Sequence, residues 1–313
     1  MKPATAALRD DTPVNPAYKT LQTAIGQALK LVDTSQPISD EAIHDARKAL
    51  KKARAALRLL QGGMSKTTFQ VENSGLRDAG RFLSPFRDAK SLIDAFDSLH
   101  DRDGDKLQGF ELVPLQKILH ANLTKARRHF SHTPTEQENC IRLLRDCIAL
   151  AKKEGFSFID SEAIHTGLRD IYRKGSKARV QARTARTPEA LHEWRKQVKY
   201  LLNAVEGLHL SAKGAAAKTL KWTDALADSL GDDHDLAMLS EETARGSYAP
   251  VDADLIKKLH ALIDRRRAKL QKRSFSLGKK LYGKKPKQFA KSILAHVSPS
   301  VASSTGDTPP ARQ

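Results

Sequence analysis

The sequence has few aromatic residues, only two cysteines and no long apolar run in its 313 residues. Aromatic side chains make up 5% of it, which leaves few candidates for the stacking platforms that bind single-stranded nucleic acids. No stretch of about 18 apolar residues occurs, so we expect no membrane span. The segment from Met1 to Asp11 lacks the apolar core of a secretory signal.

The two cysteines, Cys140 and Cys147, lie seven residues apart in a segment with helical periodicity. Two helical turns separate their Cα atoms by about 10 Å, beyond the roughly 7 Å limit of a disulfide. We therefore expect both thiols to be reduced and half-buried, which fits a cytoplasmic location.

Negative charge is scarce relative to positive charge. The chain carries 54 Lys and Arg against 36 Asp and Glu, a formal net charge of +18. Such an excess opposes compaction unless an anion balances it. Nucleic acid, an anionic membrane surface and inorganic polyphosphate are the candidate partners, and a surplus that serves only solubility is the alternative.

Apolar residues recur at steps of three and four along almost the whole chain, and β-branched clusters are scarce, which predicts an all-α fold. We expect a flexible N-terminus over residues 1–12, a helical domain over 13–292 and a disordered tail over 293–313, which is rich in Ser, Thr and Pro. A candidate joint at Gly155–Asp160 divides the domain into halves 13–155 and 156–292.

An internal repeat is the most informative feature. Residues 43–60 read IHDARKALKKARAALRLL, and residues 191–208 read LHEWRKQVKYLLNAVEGL. The ungapped alignment pairs His44 with His192, Arg47 with Arg195, Lys48 with Lys196 and Lys51 with Lys199. A second element follows each copy at a similar distance, LSPFRD at 83–88 and LGDDHD at 230–235. Two elements repeated in the same order predict a duplicated helical unit.

Each copy of the repeat combines an apolar seam with a cationic face. Ser39 and Thr187 are the expected N-caps, and Pro188 fits the first helical position. The seams are Ile43, Ala46, Leu50, Ala53, Leu57 and Leu60, and Leu191, Trp194, Val198, Leu201, Val205 and Leu208. The histidine, arginine and lysines at i, i+3, i+4 and i+7 share about a third of the circumference. Because like charges at these spacings repel, and a solvated face usually mixes signs, the pattern favours a polyanion-binding surface.

With these two motifs in order, the sequence resembles the CHAD family, the conserved-histidine α-helical domain, over roughly residues 13–292. The segment Gly167-Leu-Arg169-x-x-Tyr172-Arg173 adds support. The resemblance implies two four-helix bundles with pseudo-twofold symmetry and a basic central groove that binds inorganic polyphosphate, associated with polyphosphate granules in bacteria. The positions that it implies for the groove are His44, Arg47, Lys48, Lys51, Lys52, Arg54, His192, Arg195, Lys196 and Lys199. Tyr200, Leu202 and Asn203 depart from a more basic pattern.

Further basic residues lie outside the repeated helices. Arg169, Arg173 and Lys177 share one face of a segment that stays basic to Arg186, and we include Arg169 and Arg173 among the polyphosphate-binding candidates. Another basic stretch covers residues 257–287. We expect some of these side chains in the groove and others in solvent.

The acidic cluster Asp232, Asp233, His234 and Asp235 has two interpretations. One is metal ligation. The favoured one is helix capping at a Leu230-Gly231 turn, with Asp88 and Asp235 forming ion pairs across the bundle.

The expected function is non-catalytic binding of inorganic polyphosphate, with no catalytic residue, no metal and no cofactor. Nucleic-acid binding explains the charge equally well, but no helix-turn-helix, zinc-finger or RNP signature occurs. A metal-dependent phosphohydrolase would need several converging ligands, and a third alternative is adhesion of basic amphipathic helices to an anionic surface. Because histidines gain charge below about pH 6.5, we expect polyphosphate binding to tighten at acidic pH.

Overall fold

The structure, a computed structural model, describes residues 15–36, 38–131, 134–208, 214–245 and 251–295. This part of the chain is helical, with no β-strand, which confirms the all-α prediction. Its α-helices are α1 (Pro16–Val32), α2 (Asp40–Leu60), α3 (Lys66–Phe82), α4 (Ser84–Asp103), α5 (Val113–Ser131), α6 (Pro134–Lys153), α7 (Ser161–Ala185), α8 (Pro188–Gly207), α9 (Gly214–Ala244), α10 (Ala253–Leu281) and α11 (Pro286–Leu294).

Two of the expected segments fall largely outside these ranges. The expected flexible segment 1–12 lies outside the described residues, as does 296–313 of the expected tail. Ile293 and Leu294, which we assigned to that tail, belong to α11 instead. Among the described residues, no helix is long and apolar enough to cross a membrane.

The predicted caps and seams of the two repeated helices are confirmed. The Ala42 amide donates to Ser39 Oγ at 3.2 Å in front of α2, and the Ala190 amide donates to Thr187 Oγ1 at 3.3 Å in front of α8. Every residue of both predicted seams is buried. Burial of this stripe directs the opposite, cationic face of each helix away from the core.

Helices pack in the same order in the first and second parts of the chain. α1 packs along α2 as α7 packs along α8, α2 contacts α3 as α8 contacts α9, and α4 contacts α5 as α9 contacts α10. One continuous α9 stands where the first part has α3 and α4, which are separated at Leu83. The parallel agrees with a duplicated unit, and the division into two bundles stays a prediction.

The two parts of the chain meet where α2 contacts α7 and α8 and where α4 contacts α9. At Gly167 of α7, an added Cβ would lie 2.3 Å from the carbonyl oxygen of Leu59 in α2. Only glycine permits this approach of the two helices. The expected joint contains Gly155 in the left-handed region and a short 3-10 turn at Phe156–Phe158.

The contact between α3 and α6 buries both cysteines and a carboxyl group. Cys140 and Cys147 are free and fully buried rather than half-buried, and burial raises the pKa of the Cys140 thiol to about 12. Glu72 is 1% exposed, and neither of its carboxyl oxygens has a hydrogen-bond partner among the described residues. Burial raises the pKa of Glu72 to about 7, so the carboxyl is largely protonated below neutral pH.

Replacement of this carboxyl by an uncharged amide, Glu72→Gln, should stabilise the protein above neutral pH. An unfolded glutamate loses its proton near pH 4.3, whereas folded Glu72 keeps it to about pH 7, so the free energy of unfolding falls between these values. We expect the free energy of unfolding of the variant to exceed that of the parent by about 1–3 kcal/mol at pH 8. Its dependence on pH between pH 4 and pH 7 should largely disappear. Chemical denaturation at several pH values measures both, with exposed Glu138→Gln as the control. If the free energy of unfolding of Glu72→Gln depends on pH as that of the parent does, the raised pKa of Glu72 is contradicted.

Candidate functional site

Five cationic side chains come together where α2, α4 and α8 meet. They are Arg47 and Lys51 of α2, Arg87 of α4, and Arg195 and Lys199 of α8, referred to below as the central cluster. The predicted cationic faces of the two repeated helices therefore lie against one another, because α2 packs directly on α8. Four of the five residues were predicted from the repeat.

The pKa of Lys51 reflects its burial and the positive charges around it. Burial, followed by the charges of the other four cluster members, lowers the pKa of its ammonium group to about 8. The residue nevertheless keeps solvent-accessible surface. Solvent access combined with neighbours on several sides is what a groove wall provides.

The arginines of the cluster are held by the second repeated element. Arg47 donates to Ser84 Oγ at 2.7 Å, and Ser84 Oγ donates to the Gly80 carbonyl oxygen at 3.2 Å. Arg195 lies over Gly231, about 3.6 Å from where a Cβ would be. Ser84 and Gly231 occupy the same position in LSPFRD and LGDDHD, so the two elements pack on the two repeated helices in the same way.

Two carboxylates at equivalent positions act on these arginines. Burial lowers the pKa of both guanidinium groups, and the largest opposing influence is Asp88 for Arg47 and Asp235 for Arg195. The Nε atoms of both arginines are buried and have no hydrogen-bond partner among the described residues. The predicted ion pairs of Asp88 and Asp235 are not found among the described residues, where the two carboxylates influence Arg47 and Arg195 without forming an ion pair.

The predicted capping at Leu230-Gly231 is wrong, because α9 continues through both residues. Asp233 is 1% exposed, accepts from Arg267 Nε at 3.2 Å and accepts from Gln271 at 2.9 Å. A buried ion pair between α9 and α10 thus takes the place of the expected cap.

The histidines of the two copies have different surroundings. His192 Nδ1 lies 3.3 Å from His234 Nδ1, and a hydrogen bond between them needs a proton on one Nδ1 and a lone pair on the other, so at least one ring is neutral. Burial, together with the charges of His192 and Arg195, lowers the pKa of His234 to about 4, and burial also lowers that of His192. Both shifts oppose the expectation that these rings gain charge near pH 6.5.

His44, in contrast, is exposed at a cavity of about 350 Å³ between α2 and α4. Phe86, Arg87 and Lys90 line it, together with the carboxylates Asp40, Glu41, Asp45 and Asp94. Arg87 stands here at the position equivalent to His234.

The C-terminal half of α2 extends the basic surface. The guanidinium of Arg58 lies 3.8 Å from the centre of the Tyr200 ring, and that of Arg54 lies 5.7 Å from it. Burial lowers the pKa of Arg58 to about 10. Tyr200, a departure from a basic pattern, therefore supports two arginines of the other repeated helix.

The remaining predicted residues lie at the edges of this surface. Lys48 is exposed and Lys52 half-buried, and Lys196 forms an ion pair with Glu193. Arg169 and Arg173 both pair with Asp170, at 3.7 and 3.3 Å. These two arginines do not join the central cluster. Arg173 acts on Lys174, whose pKa is lowered by burial and by the charges of Arg58 and Arg173.

Sequence reasoning missed Arg87 as a member of the site. The sequence alignment could have identified it, because Arg87 in LSPFRD aligns with His234 in LGDDHD. The expected groove residues, however, were taken mainly from the two repeated helices. Among the described residues, no group of three or more His, Cys, Asp and Glu side chains is arranged to hold a metal ion.

Comparison with known families gives one match. The family model described as CHAD domain matches residues 19–244, which cover both repeated helices and both second elements. No curated protein matches the chain.

The histidine pair generates a test of its protonation state. We expect His234 to stay neutral at pH 6 and to protonate only near pH 4, and His192 to titrate below its usual value. NMR of the ring nitrogens measures both. In Arg195→Gln, loss of the neighbouring positive charge should raise the pKa of both rings. A His234 ring that titrates near pH 6.5 would contradict the burial and the nearby positive charge that lower its pKa.

Proposed function

The chain belongs to the CHAD family, and from that membership we propose that it binds inorganic polyphosphate in the groove formed by α2, α4 and α8. The proposed role is non-catalytic, and association with polyphosphate granules would follow from attachment to the polymer. The central cluster is the proposed contact surface, with Lys48, Lys52, Arg54 and Arg58 beside it.

The observation that carries the proposal is the lowered pKa of Lys51. Burial, followed by the charges of Arg47, Arg195, Lys199 and Arg87, disfavours protonation of this lysine. A bound polyanion would remove that penalty. The groove therefore favours an anion with many charges over a single small ion.

The donors in the groove suit phosphate oxygens. Arginine offers a planar fork of donors and lysine a mobile point charge. The buried Nε atoms of Arg47 and Arg195 leave the outer guanidinium nitrogens as the groups able to reach a ligand. A phosphate chain presents identical anionic units along its length, which fits a row of cations from several helices.

Nucleic acid is the second candidate, because its phosphates would meet the same donors. Base stacking would need accessible aromatic rings, whereas Tyr200, which lies beneath Arg58, is buried. A ligand without bases therefore fits the groove better.

Removal of four groove charges tests the proposal. In Lys48→Gln/Lys51→Gln/Lys196→Gln/Lys199→Gln, we expect the slope of log affinity against log salt to become shallower by about 3, by analogy with nucleic-acid binding. The control Lys117→Gln/Lys152→Gln/Lys257→Gln/Lys258→Gln removes the same charge from exposed positions elsewhere. Binding isotherms of long-chain polyphosphate at two salt concentrations give the slopes.

Two outcomes would reject this function. One is a groove variant that binds polyphosphate as the control does. The other is displacement of long-chain polyphosphate by duplex DNA at matched phosphate concentration and salt, which would favour the nucleic-acid alternative.

Lys51 gives a second test, based on pH. Since its pKa is about 8 and a bound polyanion raises it, binding takes up a proton, and affinity should fall up to about tenfold between pH 7 and pH 9. Lys51→Arg keeps its charge over this range and should abolish the fall while it retains binding. Calorimetry in buffers of different ionisation enthalpy measures the uptake, and equal uptake by parent and variant would contradict the role of Lys51.

A further inference from the structure

A second basic cavity lies between α7 and α10, away from the central cluster. Its volume is about 700 Å³. Its cationic lining is Arg179, Arg183, Arg186, Lys272 and Lys279, and Gln271, Phe275 and Ser276 complete its polar and aromatic wall. We refer to it as the α7–α10 cleft. The arginines of α7 and its C-cap face the lysines of α10, so both walls are positively charged.

The charges of this cleft are uncompensated. No carboxylate lines it, and among the described residues none of its five cationic side chains forms an ion pair. Arg179 Nε is buried without a hydrogen-bond partner among those residues, and the stem of Arg179 runs past Gly278. A solvated basic face usually contains mixed charges, whereas this cleft concentrates one sign on two facing helices.

The cleft is separate from the groove. Trp194 of α8 stacks on Phe275 of the cleft with ring centres 5.2 Å apart, whereas its neighbour Arg195 belongs to the central cluster. Consecutive residues of an α-helix point about 100° apart, so the cleft and the central cluster adjoin different faces of α8.

The internal repeat does not account for the cleft. At the spacing that aligns His44 with His192, the residues Leu31, Ser35 and Ile38 stand where the cleft has Arg179, Arg183 and Arg186. α7 has 25 residues and α1 has 17, so the cleft wall is built partly from helix that α1 lacks. The second part of the chain thus carries basic residues that the shared groove does not require.

We propose that the α7–α10 cleft is a second binding site for condensed phosphate, which holds a separate stretch of the polymer bound in the groove. The proposal rests on the proposed function, because it assigns the same class of ligand to a new site. Facing rows of arginine and lysine bind phosphate oxygens from both sides. Trp194 covers one face of Phe275, so at most one face of the aromatic ring that lines the cleft is open to a base.

Two sites on one protein would change how affinity depends on chain length. Once a long chain occupies one site, its next segment meets the other at a high effective concentration. A chain too short to span both sites gains nothing from this effect. The cleft therefore predicts tighter binding of long chains than of short ones.

The test compares three four-charge variants of the full chain. The cleft variant is Arg183→Gln/Arg186→Gln/Lys272→Gln/Lys279→Gln, all at exposed positions, with Arg179 retained because of its packing. The groove variant and the control are those described above. Short-chain oligophosphate and long-chain polyphosphate are titrated into each by calorimetry, and unfolding midpoints verify that all variants fold.

We expect two short chains to bind the parent and the control, and one to bind each of the other two variants. The cleft variant should lose about 10²-fold or more in affinity for the long chain. If it matches the control in stoichiometry and affinity, the cleft proposal fails while the groove stands. If the groove variant matches the control and the cleft variant does not, the proposed function of the groove fails instead. Preferential filling of the cleft by duplex DNA would overturn its ligand class.

Discussion

The packing of α2 against α8 is the contact on which the central cluster depends, because it brings like charges together against their repulsion. Like charges one turn apart on a helix cost a few tenths of a kcal/mol per pair, whereas burial of a leucine or valine side chain contributes about 1.5–3 kcal/mol. Both seams are fully buried. Apolar burial therefore fixes the positions of the cations, and the resulting charge concentration appears as the lowered pKa of Lys51.

The second repeated element limits that repulsion. Asp88 raises the pKa of Arg47 and Asp235 raises that of Arg195, each against the larger effect of burial. The neutral pair of His192 and His234 has a similar consequence. Neutral rings next to Arg195 add polar groups to the groove without adding charge, so a histidine among cations need not be a cation itself.

Local chemistry was predictable from the sequence, and contacts between distant segments were less so. Ser39 and Thr187 cap the helices as predicted, because capping depends on a few adjacent residues. The continuity of α9 through Gly231 was not predicted, since the tertiary ion pair of Asp233 with Arg267 overrides the local tendency of glycine and aspartate to end a helix. The pairing of His192 with His234, and the separation of Arg169 and Arg173 from the cluster, likewise depend on how helices pack.

The differences between the two copies carry as much functional information as their similarities. Equivalent positions in the two copies hold different residues, as in the pairs Arg87 and His234, Lys52 and Tyr200, and Ser35 and Arg183. The first part of the chain contributes three of the five cluster cations. The second part adds the α7–α10 cleft. A symmetric ligand would favour equal contributions from both copies. A flexible polymer of identical units has no such requirement, because any stretch of it can occupy any site. For such a ligand, the two copies can diverge as long as the total positive charge along its path is kept.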